Sequence, residues 1–360
     1  MEKSKHIVAL PMAIEDLTPE WFTSAFATRH SGLKVTGVSI KSVIWGSATK
    51  VFVDLTYATD PGPDGPPSRL VVKAGFTPEL REIISDCYLT EAQFYRDIAG
   101  NLGTGGAPRC WFAATDFAHN QGIVLLEDLV AAGVRFGTPL EPWTPDLVAT
   151  MLNLLATWHG ETWNRRGLER YGWLTVGTIG VRTFIERSLT AEIFNSFMSL
   201  SQTSSIPVAY RNRERFLRGI RRMWELDDSS VLSLSHGDTH VGNTYITADG
   251  VPRFLDWQSV CLGPCMDDVT YFMGGALSTT DRRVHERDLL RYYLDALQRL
   301  GGPALSFADA WLDYRRHHLH GLGGWPFLTE EIQPVDKVTE FTERYAAAVA
   351  DHDTFGALGV

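Results

Sequence analysis

Cysteine is scarce in this chain of 360 residues. Its four cysteines (Cys87, Cys110, Cys261, Cys265) are too few for a disulfide-stapled scaffold. Cys261 and Cys265 stand with three residues between them and no second pair to complete a zinc site, so they are expected to be reduced thiols. Positive charge is in deficit as well. With 33 Lys and Arg against 43 Asp and Glu the formal charge is −10, which argues against a grip on nucleic acid or anionic membrane through an overall basic field. No apolar run approaches a transmembrane helix. Met1-Glu-Lys-Ser-Lys-His6 leads only into a short apolar patch broken by Pro11, without the core of a signal peptide. The expectation is therefore a cytoplasmic protein with neither a nucleic-acid nor a membrane partner. Gly-x-Ser-x-Gly elbows, zinc-hydrolase motifs and Gly-x-Gly-x-x-Gly loops are missing too. What remains is ordinary for a globular chain: 44% hydrophobic and 21% charged residues, with length enough for two lobes.

The order of signals divides the chain. Thr18-Pro19-Glu20 caps a helix expected over 14–30. Period-two alternation then marks strands at Val35–Val43 and Val51–Tyr57, joined through Trp45-Gly-Ser-Ala-Thr-Lys50. The proline- and glycine-rich run 60–68 reads as an exposed hairpin loop before a buried strand, Arg69–Gly75. A helix over Pro78–Ile98, a glycine-rich loop at Gly100–Pro108 and a strand pair at Trp111–Asp116 and Gly122–Leu126 follow. From 144 onward helices dominate, expected at 144–159, 181–200, 207–226, 266–277, 283–300, 306–320 and 335–352. These signals predict an α+β chain, with a β-rich lobe over 1–129 and a mainly helical lobe over 130–360.

One stretch carries the chemistry. Leu234-Ser-His-Gly-Asp-Thr-His-Val-Gly-Asn-Thr-Tyr-Ile246 is followed by Phe254-Leu-Asp-Trp-Gln258, with a hairpin turn at Ala248-Asp249-Gly250 between them. Phosphoryl transfer passes through a loose transition state, so the protein mainly positions reactants and neutralises charge. A carboxylate, Asp238, suits the base that takes the proton of an attacking hydroxyl. The amide of Asn243 and the carboxylate of Asp256 are hard oxygen ligands for Mg²⁺, and a hairpin would fold them back to one end. Singly, each of these residues is an ordinary turn or strand-end residue. Together, with His236 and Gly237, they point to a transferase.

The pattern His236-Gly-Asp-x-His-x-Gly-Asn243 with Asp256-Trp-Gln258 resembles the signature of the aminoglycoside phosphotransferase and choline kinase superfamily, which has a two-lobed protein kinase-like fold. Asp256-Trp-Gln258 and Asp268-Val-Thr-Tyr-Phe272 bring it nearest the ecdysteroid kinase-like branch. The resemblance implies Asp238 as catalytic base and Asn243 and Asp256 as Mg²⁺ ligands, with His236 and Asp268 supporting the catalytic loop. It also implies Lys73, in Leu-Val-Val-Lys, on the α- and β-phosphates of ATP or GTP, paired with Glu91. Leu125-Leu-Glu-Asp-Leu129 resembles the hinge, where backbone groups of Glu127 and Leu129 would face adenine. Gly46, Ser47 and Thr49 stand where a phosphate-covering loop belongs.

His317, His318 and His320 lack metal-site spacing. His318 is expected in the acceptor pocket with Trp325, and His159 as a core hydrogen-bonding histidine. Most of the eleven tryptophans are expected in the core rather than in a cage for quaternary ammonium. The reading is an ATP-dependent O-phosphotransferase acting on a small lipophilic or natural-product alcohol. A choline- or ethanolamine-type kinase, an antibiotic phosphotransferase and a nucleotide-binding pseudokinase are the alternatives.

Overall fold

The computed structural model describes residues 9–102 and 106–360. Met1–His6 and residues 103–105 of the expected glycine-rich loop lie outside the described residues. The chain divides into two compact units, Met1–Val134 with Asp256–Gln258, and Arg135–Leu255 with Ser259–Val360. The expected boundary at 129/130 lies five residues before that division, and the short Asp256–Gln258 segment joins the first unit.

In the first unit α1 (Pro19–Phe26) starts where Thr18 Oγ1 accepts from Trp21 N and Pro19 occupies the first turn. It is shorter than the expected 14–30 helix, because Leu17 leaves helical geometry after a single 3₁₀ turn at Ile14–Asp16. Strands β1 (Val35–Ile44), β2 (Thr49–Tyr57), β3 (Arg69–Ala74), β4 (Cys110–Asp116) and β5 (Gln121–Glu127) form one antiparallel sheet in the order β1-β2-β3-β5-β4. Its register sorts the faces. Val51, Val53, Leu70, Val72, Ala74, Ile123 and Leu125 bury one face with Trp21, Phe22 and Phe26. Each valine, leucine, isoleucine or phenylalanine among them, fully buried, contributes about 1.5–3 kcal/mol. The opposite face carries Lys50, Phe52, Val71, Lys73 and Val124, since Lys50 pairs with Lys73, Phe52 with Val71 and Lys73 with Val124. Helix α2 (Pro78–Asp97) packs on β4 and β5, with a break in helical geometry at Ile84. A Cβ at Gly122 would stand 2.1 Å from Tyr88 O, so only glycine lets α2 come this close to β5.

The second unit is mainly helical: α3 (Pro145–Glu161), α4 (Ile179–Ser188), α5 (Ala191–Met198), α6 (Arg213–Asp228), α7 (Cys265–Ala276), α8 (Thr279–Arg299), α9 (Phe307–Gly324), α10 (Val335–Asp351) and α11 (Thr354–Leu358). Short strands β6 (Arg135–Phe136), β7 (Ser233–Ser235), β8 (Thr244–Ile246), β9 (Pro252–Phe254) and β10 (Cys261–Gly263) form two small sheets, β6-β8-β9 and β10-β7. The helix expected over 181–200 is two. Thr190 breaks it and restarts it, its hydroxyl accepting from Ile193 N. The next begins at Arg213 rather than 207, capped by Asn212 Oδ1 on Arg215 N. The α+β class holds, with strands concentrated in the first unit and helices in the second. All four cysteines are free. Among the described residues no helix is long and apolar enough to cross a membrane.

Candidate active site

In the second unit the loop between β7 and β8 carries the motif. Gly237 has φ +76, and a Cβ there would meet Ser259 O at 2.3 Å and Thr178 Oγ1 at 2.9 Å, so the position admits only glycine. The buried Asp268, in the first turn of α7, accepts from His236 N at 2.8 Å and Gly237 N at 3.0 Å. His159 Nε2 lies 3.3 Å from the same carboxylate, and Thr239 Oγ1 donates to Asp268 O. The His236 ring is fixed from both sides. Asp238 N donates to its Nδ1 at 3.3 Å, which leaves Nε2–H to donate to Leu255 O at 3.1 Å.

This frame presents Asp238, whose side chain is 25% exposed, enough to meet a ligand. Asn243 Nδ2 donates to Asp238 Oδ2 at 2.9 Å and to Asp238 O at 3.0 Å. Both partners are acceptors, which fixes the orientation of the amide and leaves its Oδ1 as a neutral hard ligand atom. The chemistry fits Mg²⁺, which takes oxygen donors. The β8–β9 hairpin turns at Gly250, with φ +84, and Leu255 N donates to Asn243 O at 2.9 Å. His240 Nε2 stands 3.6 Å from Asp238 Oδ2, beyond hydrogen-bond distance, while its Nδ1 accepts from Gly242 N at 3.0 Å.

In the first unit Lys73, 4% exposed, reaches two carboxylates: Glu91 at 2.8 Å and Asp256 Oδ1 at 2.7 Å. Burial works against its ammonium, but Asp256 and then Glu91 outweigh burial and hold its pKa above the ordinary lysine value. Asp256 sits at φ +65, a left-handed conformation that aspartate tolerates better than most side chains. Next to it Trp257 is fully buried and stacks on Phe94 of α2, centroids 4.1 Å apart at 8°. Gly46 and Ser47 are exposed in the β1–β2 turn, where Tyr88 OH donates to Ser47 O. Nothing crowds Gly46, so glycine is not a steric necessity there. Thr49 is buried at the start of β2. Glu127 turns its side chain to Arg109 N at 2.8 Å, and Leu129 is half-buried just beyond β5.

His318 and Trp325 lie in different surroundings. His318 is 1% exposed, stacked on His352 at 4.7 Å and edge-on to Tyr314, so it offers an acceptor no open surface. Burial pushes its pKa well below the usual histidine value. Trp325 is buried too, donating Nε1–H to Tyr271 OH at 2.9 Å and meeting His240 edge-on at 5.0 Å. Glu286, His318 and His352 are close enough to hold a metal ion. Arg282 Nη1, however, lies 2.7 Å from Glu286 Oε2 and 3.0 Å from His352 Nε2, so a guanidinium already fills the place of a cation.

Three features escaped sequence reasoning. A pocket in the second unit is walled by Val176, Arg182, Trp224, Asp227, Asp267 and His320, among others. Its carboxylates are paired: Asp267 with His320 at 2.6 Å and Asp227 with His317 at 2.8 Å. Lys50, opposite Lys73 in the β2–β3 ladder, is the third. The spacing His317-x-x-His320 on one helix face was the signal for the histidines, but their partners lie 53 and 90 residues away.

A model of the ecdysteroid kinase-like family matches residues 67–301. The chain belongs to that family. The matched span takes in Lys73, Glu91, the 236–243 loop, Asp256 and Asp268, and leaves the turn at 46–49 and α9 outside. No curated protein matches the chain. Among solved structures, this ecdysteroid kinase-like protein is similar to an ethanolamine kinase from Plasmodium vivax (11% identity, 86% of this chain and 81% of that one, TM-score 0.49). It is also similar to a choline/ethanolamine kinase family protein from Mesorhizobium loti (14%, 94% and 98%, TM-score 0.49). A third is the macrolide 2′-phosphotransferase from Brachybacterium faecium (18%, 82% and 89%, TM-score 0.45). These distant likenesses say nothing of the acceptor.

Proposed function

We propose that this ecdysteroid kinase-like protein transfers the γ-phosphoryl group of ATP, or of GTP, to a hydroxyl of a small lipophilic or natural-product alcohol. The observation that carries the reading is the carboxylate of Asp238, part-exposed and held by Asn243 on a loop that Asp268 fixes by two backbone hydrogen bonds. The acceptor hydroxyl donates to Asp238. As its oxygen bonds to phosphorus and the bond to the leaving diphosphate breaks, its proton passes to that carboxylate. Asn243 Oδ1 and Asp256 would hold Mg²⁺, which supplies positive charge to the phosphate oxygens. Lys73, charged across the working pH range, serves the α- and β-phosphates, with Glu91 holding its ammonium in place.

The pocket of the second unit supports an uncharged acceptor. Its two carboxylates, Asp267 and Asp227, are already matched by His320 and His317, which leaves no surplus carboxylate in its wall for a polycation. Val176, Trp224 and Leu232 supply apolar wall.

A coupled ADP-release assay against lipophilic, sugar-like and cationic alcohols tests the reading. Turnover is expected on the first group and to fall by about 10²–10⁴-fold in Asp238→Ala. Nucleotide-induced thermal stabilisation should survive in that variant. Turnover confined to choline or aminoglycosides would overturn the acceptor, and undiminished turnover in Asp238→Ala would overturn the base.

A further inference from the structure

We propose that Lys50 is a second phosphate-binding lysine, acting beside Lys73 on the polyphosphate of a nucleoside di- or triphosphate. The identity of that ligand rests on the phosphotransferase reading; the anion site itself rests on the geometry of the first unit.

Lys50 and Lys73 are direct partners in the antiparallel β2–β3 ladder, so both side chains leave the same face of the sheet. The next pair on that face is Phe52 and Val71, an apolar surface beside the two ammonium groups. The other face is closed by the core around Phe22 and Phe26. Lys73 is committed to Glu91 and Asp256. Lys50 is half-buried, and among the described residues its side chain has no hydrogen bond and no ion pair. Burial, and then the like charge of Lys73, lower its pKa, while Asp256 and Glu91 act the other way. A cation desolvated beside another cation is costly unless a multivalent anion joins them. A polyphosphate brings that charge, and the adjoining Phe52–Val71 surface suits the base of a nucleotide better than a bare phosphate.

The position also accounts for the missing glycines. Lys50 follows directly on the turn at Gly46–Thr49, where a glycine-rich loop would otherwise point backbone N–H groups at phosphates. Here a side-chain ammonium takes over part of that work.

The test uses the full chain and compares Lys50→Met, which keeps the stem, with Lys50→Arg, which keeps the charge. Binding of MgATP, MgADP, adenosine and inorganic tripolyphosphate is measured by calorimetry. Lys50→Met is expected to weaken MgATP and MgADP by about tenfold or more, the worth of one charge-assisted contact. Adenosine should bind unchanged, Lys50→Arg should stay within about threefold of the parent, and the ligand-free melting temperature should not fall. Parent-like MgATP affinity in Lys50→Met would overturn the proposal and leave the phosphotransferase reading standing. If the parent binds tripolyphosphate through Lys50 but neither nucleotide, the anion site stands and the reading falls. If it binds none of these anions, both fall.

Discussion

Replacing Asp268 by asparagine tests how the 236–243 loop is held. Oδ1 accepts from Gly237 N, while Oδ2 accepts from His236 N and faces His159 Nε2. An asparagine keeps the shape but has only one acceptor oxygen. That oxygen satisfies more partners facing His236 and His159, which turns the new NH₂ group onto Gly237 N–H, donor against donor. One charge-assisted hydrogen bond is lost, worth about 1.5–3 kcal/mol, and a buried N–H is left without an acceptor at about 1–3 kcal/mol. Since the bond and the orphaned donor overlap as accounts of one event, the net expectation is about 3 kcal/mol. With a urea dependence of about 3 kcal/mol per molar, the unfolding midpoint falls by about 1 M. Urea titration followed by tryptophan fluorescence reads this directly, and the same variant should lose turnover before it loses nucleotide binding, because Lys73 is untouched. A midpoint within about 0.3 M of the parent would refute the assignment of Asp268 as the loop's acceptor.

Two further perturbations bear on the surroundings. The buried His317 has a pKa raised to about 9 against an ordinary 6.5: burial opposes its charge, but Asp227 outweighs burial. Its contribution to stability is therefore complete below pH 6.5 and is lost as pH rises through 9. The difference is worth at most about 3 kcal/mol, and His320, also raised, acts in the same direction. Denaturation at pH 6.5 and 9 should show the loss in the parent and a flatter profile in His317→Gln, and a parent stable to the same degree at both would contradict it. In the first unit Trp257→Ala removes a fully buried ring stacked on Phe94, at an expected cost of about 3–5 kcal/mol read by thermal unfolding. A cost below about 1 kcal/mol would mean that the Asp256–Gln258 segment is held by something else.

The sequence revealed most where residue type and chemistry coincide. Asp238, Asn243, Asp256 and Asp268 stand out as candidates because few arrangements place those side chains at those spacings, and the strands of the first unit were legible because β2 alternates cleanly. What stayed hidden depends on pairing across distance. Lys50 reads as the last residue of the turn before the Val51–Tyr57 strand; only the register with Lys73 makes it part of a charged face. Asp267 stands beside Asp268, and its pairing with His320 of another helix appears only in the structure. The 181–200 helix was over-extended because Thr190 is an acceptable helix residue until its hydroxyl is seen to cap the next one. His318 looked functional by composition, yet tertiary packing spends it on the core.

The adjacent aspartates of α7 show why the support of the loop and the lining of the pocket were unequally legible. Successive side chains on a helix point about 100° apart. Asp268 accordingly turns to the backbone of His236 and Gly237, while Asp267 turns to His320 and the pocket. The first contact is with backbone N–H groups, which any sequence supplies, so its requirement falls wholly on the aspartate and is visible as a motif. The second is with a side chain of α9, outside the residues that match the family model. Changes there can alter the pocket without disturbing the loop that Asp268 holds, because the two carboxylates share a helix turn but no partner. The same turn of helix thus holds the 236–243 loop through Asp268 and the wall of the pocket through Asp267, two structural tasks that separate substitutions can address one at a time.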